Sequence, residues 1–233
     1  MSPNVLQCAK KGEISMKTVF LMIRHGESEG NAAKIFCGQK NVPLSDRGRQ
    51  QAARTAEFLA DRRIDAVYAS DLSRAFDTAA VIADCHRLRV IPEPELREIS
   101  GGKWEGLTTA QVMERYGEDY RNWKRDLTFG PTGGEGAVQA QTRMSRILRR
   151  LAEENPGKTL CIGTHGGILR AFAGGVMQRP SSELRSLSVA ANASVTTVEY
   201  EDGNFRVLSY GEAEHLQNER KNVKRSTETQ NIF

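Results

Sequence analysis

The sequence predicts an α/β fold, a three-layer α/β/α sandwich whose sheet is mostly parallel and carries an antiparallel C-terminal edge hairpin. Three observations lead there: short apolar runs that end in polar turns, helical periodicity between those runs, and one alternating stretch folded about Asp202-Gly203. Parallel neighbours need crossover connections, so strands alternating with helices place helices on both faces of the sheet.

Taken in order, "KTVFLMIR" at 17 to 24 is an apolar, β-branched run ended by His25-Gly26, a buried strand. Ser45 caps a helix over "DRGRQQAARTAEFLADRR", where Ala52, Ala56, Leu59 and Ala60 recur at helical spacing. "DAVYAS" at 65 to 70 is a second strand, and "LSRAFDTAAVIADC" at 72 to 85 a second helix capped by Ser70 or Asp71. "RVIPEPELREI" is a short extended segment broken by Pro92 and Pro94, followed by the glycine-containing loop "SGGKWEGLT". Thr108 to Asp126 reads as irregular helix, and Glu135 to Glu154 as a long helix with Met144, Ile147, Leu148 and Leu151 on one face, stopped at Asn155-Pro156-Gly157. "KTLCIGT" at 158 to 164 is another buried strand, again ended by His-Gly and followed at once by the helix "GILRAFAGGVM". The alternating "ASVTTVEYEDGNFRVLSYG" supplies the edge hairpin.

At 233 residues, with 39% hydrophobic and 27% charged side chains, the chain suits one domain with a substantial core, expected over 16–216. Residues 1–15 read as an N-terminal extension and 217–233 as a polar tail. The formal charge of +4 sits largely at those ends, where Arg220, Lys221, Lys224 and Arg225 outnumber Glu219 and Glu228, and Lys10 and Lys11 outnumber Glu13. The body is nearly neutral, which gives no electrostatic case for a nucleic-acid partner. Four cysteines, Cys8, Cys37, Cys85 and Cys161, stand far apart with no C-x-x-C pair, so a reducing cytoplasm fits better than a disulfide framework. No run has the length of a membrane span, and residues 1–15 lack the apolar core expected of a secretory signal.

Three strand ends carry the chemistry. The first delivers Arg24 and His25, the second the turn before Arg74, and the fourth His165. In an open parallel sheet those ends rim one crevice, and the glycine after each histidine is expected to leave room for a ligand. Two arginines, with the amides that open the helices after the first and fourth strands, make an anion pocket for which phosphate is the natural guest.

"RHGES" at 24 to 28, Asn31, "PLSDRGRQQA" at 43 to 52, "YASDLSRAFDTA" at 68 to 79, "ELREISGGKWEG" at 95 to 106 and "GTHGGILRA" at 163 to 171 together resemble the histidine phosphatase, or phosphoglycerate mutase-like, superfamily. The resemblance runs in order from about Lys17 to Leu216, and six blocks in register are far more specific than a lone R-H-G. It implies that His25 is a nucleophile, transiently phosphorylated on a ring nitrogen. Arg24, Arg74, His165 and Gly166 would hold the phosphoryl oxygens, with Asn31 assisting, and Glu98 would be the proton donor. It also implies hydrolysis of a small phosphorylated metabolite without metal or other cofactor. A homodimer is compatible with it.

Like charge around His25 should keep its ring neutral and its lone pair free. No metal-ligand spacing such as H-E-x-x-H occurs. Competing assignments are open at this stage. Arg74 could pair with Asp71 or Asp77, Glu105 and Glu27 lie near the same rim as Glu98, Asn31 could cap a short helix, and Ser28 reads as a local hydrogen-bond donor. His86 reads as a surface residue and His215 as structural. Cys37 stands where some phosphatases of the family have a polar residue, and "GGEG" at 133 to 136 replaces the commoner GGES. The resemblance is to the broad-specificity and alpha-ribazole phosphatases, and the interval from Glu98 to Gly133, shorter than the insertion that mutases carry, favours a phosphatase over a bisphosphoglycerate-primed mutase, with sugar phosphates, phosphoglycerate derivatives, phosphoserine and a ribazole phosphate all open as substrates. A non-catalytic phospho-ligand binding protein is the reading outside enzymes.

Overall fold

The computed structural model describes residues 16–126, 128–179 and 187–217. Strand β1 (Thr18–Arg24) lies near the middle of a six-stranded sheet because both of its faces are apolar. Phe20 and Met22 point to one side and Leu21 and Ile23 to the other, in the two-residue alternation of an extended chain. The first pair packs under helices α6 (Ala137–Glu154) and α7 (Gly166–Val176), the second under α2 (Asp46–Leu59) and α3 (Ser73–Cys85). Those two clusters are the two interfaces of the three-layer sandwich, and each fully buried large apolar side chain in them contributes roughly 1.5–3 kcal/mol.

The remaining strands are β2 (Ala66–Ala69), β3 (Val90–Pro92), β4 (Thr159–Thr164), β5 (Val195–Glu201) and β6 (Asn204–Glu212), in the order β3-β2-β4-β1-β5-β6. The first four are mutually parallel, and β5 runs antiparallel to both β1 and β6. The edge hairpin turns at Asp202 and Gly203, both with positive φ (50° and 82°), the conformation of a tight hairpin turn.

Register places the site. Arg24 stands opposite Thr164 in the β1–β4 ladder, and the His25 amide donates to the Thr164 carbonyl at 2.9 Å, so the next residues of the two strands, His25 and His165, emerge side by side. From there the chain leaves β1 toward the α2 face and β4 toward the α7 face. That divergence of neighbouring strands opens a crevice at their carboxyl ends.

Several local expectations are adjusted. The irregular stretch after Thr108 is two helices, α4 (Thr109–Arg115) and α5 (Gly117–Arg125), parted at Tyr116 (φ −134°, ψ 38°). A four-residue helix α1 (Glu29–Ala32), anticipated only as the short helix that Asn31 could cap, follows β1. Neither Ser70 nor Asp71 is the N-cap of α3. Leu72 occupies that position, and Asn41 Oδ1, from a distant loop, accepts from Ser73 N at 2.8 Å. Helix α6 starts at Ala137 rather than Glu135, with Gln139 Oε1 reaching back to Gly136 N at 2.9 Å. The expected N-terminal extension, the basic tail and Cys8 lie outside the described residues.

Candidate active site

His25 is held by its own chain. Its Nδ1 lies 2.6 Å from the Gly26 carbonyl oxygen. A carbonyl only accepts, so Nδ1 carries the proton and Nε2 keeps its lone pair, to which Arg74 Nε donates across 3.3 Å. Burial pushes the imidazole well below its usual pKa of 6.5, and the guanidinium groups of Arg74 and Arg24 push it further. His165 packs edge-on against it with ring centroids 5.1 Å apart. Its Nε2 meets Ser70 Oγ at 2.9 Å, and its Nδ1 has no partner. Burial again, then Arg74, His25 and Arg24, hold this second ring neutral.

The arginines converge on the same place. Arg74, in the first turn of α3 and only 1% exposed, donates to the carbonyls of Lys40 (3.0 Å) and Gly38 (2.7 Å) as well as to His25. It pairs with neither Asp71 nor Asp77. Asp71 is taken by Arg97. Arg24 donates through Nη1 to Ala190 O at 2.5 Å, and its buried Nε lacks a partner. Asn31 closes a capping box with Ser28 at the start of α1, so the capping reading holds for its Oδ1, which accepts from Ser28 N and from Asn192 Nδ2, both at 3.1 Å. Ser28 acts locally through the same box.

The expected room for a ligand is not what Gly26 provides, whereas Gly166 does lie on the cavity. A methyl group on Gly26 would lie 2.4 Å from the backbone oxygen of Gly48 in α2, and one on Gly166 would meet Val189 Cγ1 at 2.6 Å and Arg24 Nε at 2.9 Å. Gly26 exists for backbone packing, and Gly166 for close approach of Arg24. The expectation of open helix-start amides is corrected too. At the start of α1, Glu29 N donates to Pro43 O at 3.0 Å and Asn31 N to Ser28 Oγ at 3.1 Å. Gly167 N and Ile168 N donate to the Glu98 carboxylate at 2.9 and 2.8 Å, and Ile99 N adds a third bond at 2.9 Å. The acceptor that the α7 N-terminus needs is therefore supplied by the protein itself.

A cavity of about 400 Å³ joins these residues, with Arg24, His25, Asn31, Arg74, Glu98 and Gly166 on its surface. His165 is fully buried behind His25 and does not line it. Of the three candidate carboxylates, Glu98 reaches the cavity. Glu105 Oε1 accepts from Gln39 N (2.8 Å) and Gly101 N (2.9 Å), and Glu27 pairs with Arg47 at 3.1 Å, so both serve the surrounding loops. Among the described residues no group of three or more His, Cys, Asp or Glu side chains could hold a metal ion, and no helix is long and apolar enough to cross a membrane. Over residues 20–213 the chain matches the Histidine phosphatase superfamily (branch 1).

It belongs to that superfamily.

Among its relatives, a metal-independent phosphoserine phosphatase of Arabidopsis thaliana is 35% identical over 204 residues, covering 85% of this chain and 83% of the relative. The solved structure of Bacillus stearothermophilus YhfR superposes with a TM-score of 0.81 at 27% identity, covering 86% of this chain and 100% of that one. A mycobacterial glucosyl-3-phosphoglycerate phosphatase in complex with VO3 superposes with a TM-score of 0.76 at 28% identity, covering 85% and 100%.

Within this histidine phosphatase fold, several contributors escape sequence reasoning. Arg143 of α6 forks onto Glu135 (3.0 and 2.7 Å) and donates to the carbonyls of Glu95 (2.5 Å) and Arg97 (2.9 Å), pinning the loop that carries Glu98. Gln39 Nε2 holds the Glu98 carbonyl from the other side at 3.1 Å. The GGEG departure thus leaves its glutamate at work as the Arg143 partner, eight residues ahead on the outer turn of a helix. That spacing was the only clue in the sequence. Phe36, Trp104 and Trp123 form an aromatic wall with centroids 5.6–6.5 Å apart. Cys37 also faces the cavity, while Cys161 is buried, its thiol pushed up to about 12. His215 is structural as read, stacked on Phe58 at 4.5 Å and bonded to Thr55.

Proposed function

We propose that this chain hydrolyses phosphate monoesters of small metabolites through a phosphohistidine on His25. The observation that carries the reading is the neutral His25 ring with its proton fixed on Nδ1 and its lone pair on Nε2, beside two guanidinium groups. A neutral imidazole is the nucleophilic form, and the cations balance the charge spread over the phosphoryl oxygens in the transition state. The VO3 complex of a relative, an oxyanion like phosphate, supports the choice of ligand.

In the proposed reaction, Nε2 attacks phosphorus as the ester P–O bond breaks, and Arg74 Nε turns from the ring to a phosphoryl oxygen. The Nδ1–H bond to Gly26 O persists and stabilises positive charge developing on the ring. Arg24 Nε, buried and unpartnered at the cavity, gains an acceptor in the transferring group, which removes a cost of about 1–3 kcal/mol, while His165 packs edge-on behind the His25 ring and positions it. Asn31 adds a donor through Nδ2, since its Oδ1 is already bonded. Glu98 gives its proton to the leaving oxygen and then takes one from the water that splits the P–N bond, yielding inorganic phosphate and free His25. Arg143 and Gln39 keep its backbone fixed during both steps.

The test is phosphate release from an aryl phosphate in EDTA, with mass-spectrometric trapping of acid-labile phosphate on His25. Phosphate found on another residue, or turnover surviving His25→Ala, would overturn the reading. Glu98→Gln should lose least on esters with acidic leaving groups, which need little protonation. Equal losses on all leaving groups would remove Glu98 as the donor. Stimulation by bisphosphoglycerate would mark a mutase instead.

A further inference from the structure

Asn192 does not line the cavity, yet its side chain bonds to two residues that do. Its Nδ2 carries two hydrogens and has two acceptors, the His25 carbonyl oxygen and Asn31 Oδ1, both at 3.1 Å. Neither amide can be turned over. The His25 carbonyl only accepts, so the Asn192 atom facing it is the nitrogen, and the Ser28 amide only donates, so the Asn31 atom facing it is the oxygen. With Oδ1 of Asn31 held from two sides, Nδ2 is the end of that amide left for a ligand.

The backbone around Asn192 serves the same two residues of β1's end. Ala193 N donates to the carbonyls of Arg24 (2.9 Å) and His25 (3.1 Å), and Ala190 O accepts from Arg24 Nη1 at 2.5 Å. Ala193 is fully buried with φ 60°, a left-handed conformation that is unfavourable for a residue with a Cβ. Such strain persists where surrounding contacts over-determine it, and here the contacts are those to Arg24 and His25. Asn192 stands 167 residues from His25 in the chain, outside any local motif.

We infer that Asn192 is a positioning residue: it holds Asn31 Nδ2 toward the phosphoryl group and ties that grip to the backbone of the nucleophile, so that phosphate and ring keep one relative placement. This rests on the reading of His25 as the nucleophile. Because every monoester shares the phosphoryl group, loss of Asn192 is felt equally whatever the leaving group.

The test is a double-mutant cycle of Asn192→Ala with Asn31→Ala, read by kcat/KM on two aryl phosphates of different leaving-group acidity and by the inhibition constant of orthovanadate. Asn192→Ala should lower kcat/KM by about tenfold on both substrates and weaken orthovanadate by a similar factor, the range of a lost hydrogen bond. Once Asn31 is already alanine, Asn192→Ala should cost less than about threefold, because the amide it orients is gone. Fully additive losses overturn the inference, since a residue that only supports the fold costs the same in both backgrounds. Asn192→Asp conserves volume but sets an oxygen against two oxygens, so it should lose at least as much as Asn192→Ala, and wild-type activity in it overturns the inference too. If the variants fail to fold, wild type decides. Orthovanadate should shift the side-chain amide resonances of Asn31 and leave those of Asn192 in place, and an unmoved Asn31 amide overturns the inference. Wild type that releases phosphate from no monoester would instead sink the hydrolase reading, so the two failures are distinct.

Discussion

Two units of this molecule are written almost alike and used differently. Strand β1 ends in His25-Gly26 and strand β4 in His165-Gly166, each followed by a helix, and the β1–β4 register sets the two rings side by side. His25 reaches the cavity with its proton fixed by a backbone carbonyl, whereas His165 is sealed behind it against the Ser70 hydroxyl. The shared motif dictates where each ring emerges. The neighbours dictate what it can do, because a carbonyl fixes a tautomer while a hydroxyl can donate or accept.

The largest effect should separate the two rings. His25→Ala removes the atom that bonds to phosphorus and should lower kcat by about 10⁴-fold or more, in line with deletion of a nucleophile. His165→Ala removes the ring that packs edge-on behind His25 and should cost about 10²-fold, the scale of a misplaced reacting group. Steady-state turnover of an aryl phosphate, checked by circular dichroism for folding, measures both. Equal losses would mean that the two units are chemically equivalent and would erase the distinction drawn from their partners.

The glycines should divide along a different line. An added Cβ at Gly26 meets the Gly48 backbone at 2.4 Å, which cannot move without displacing α2, so Gly26→Ala should lower stability by about 1–3 kcal/mol, the cost of overpacking. At Gly166 the obstacles are the ends of Val189 and Arg24. Those side chains can give way, so Gly166→Ala should unfold near the wild-type urea midpoint yet lose activity because Arg24 is displaced. Urea denaturation beside kinetics reads both quantities. A reversed pattern, with Gly166→Ala the less stable, would show that α7 rather than α2 is packed tightly against its strand end.

How much of this was legible follows from how far apart the partners lie. The apolar runs of β1 and β4, the histidines and Arg74 declare themselves locally, because an apolar strand halted by a polar triplet is a pattern within eight residues. The carboxylate at Glu98 was ambiguous beside Glu105 and Glu27, since only tertiary contacts with Gly167 and Ile168, about seventy positions away, distinguish it. The cap of α3 escaped for the same reason, as Asn41 lies 32 residues before the amide it satisfies. Gly26 was misread in a more instructive way. A sequence shows that space is needed at a position, but it does not show whether a ligand or the Gly48 backbone will fill it.

The smallest effect tests what the two histidines have in common. Both rings are neutral in the folded protein and titrate well below 6.5, whereas in the unfolded chain each takes a proton near 6.5. Below that pH the unfolded state therefore binds more protons, and stability must fall as the medium is acidified, by up to about 1.4 kcal/mol per pH unit for each ring. The contribution is complete above pH 7 and is lost progressively from 6.5 down to the folded-state values. The carboxylates Asp65 and Asp71, lowered from 3.8, act only in more acid solution. Urea midpoints for wild type, His25→Asn and His165→Asn at pH 7.5, 6.5 and 5.5 isolate the two rings by difference, which also subtracts the depressed His215. Each substitution should flatten the slope. His25→Asn should do slightly more than remove its own share, because the His25 ring is one of the causes that depress His165. Identical slopes in all three proteins would mean that the rings are charged when folded, and an imidazolium at His25 has no lone pair with which to attack phosphorus.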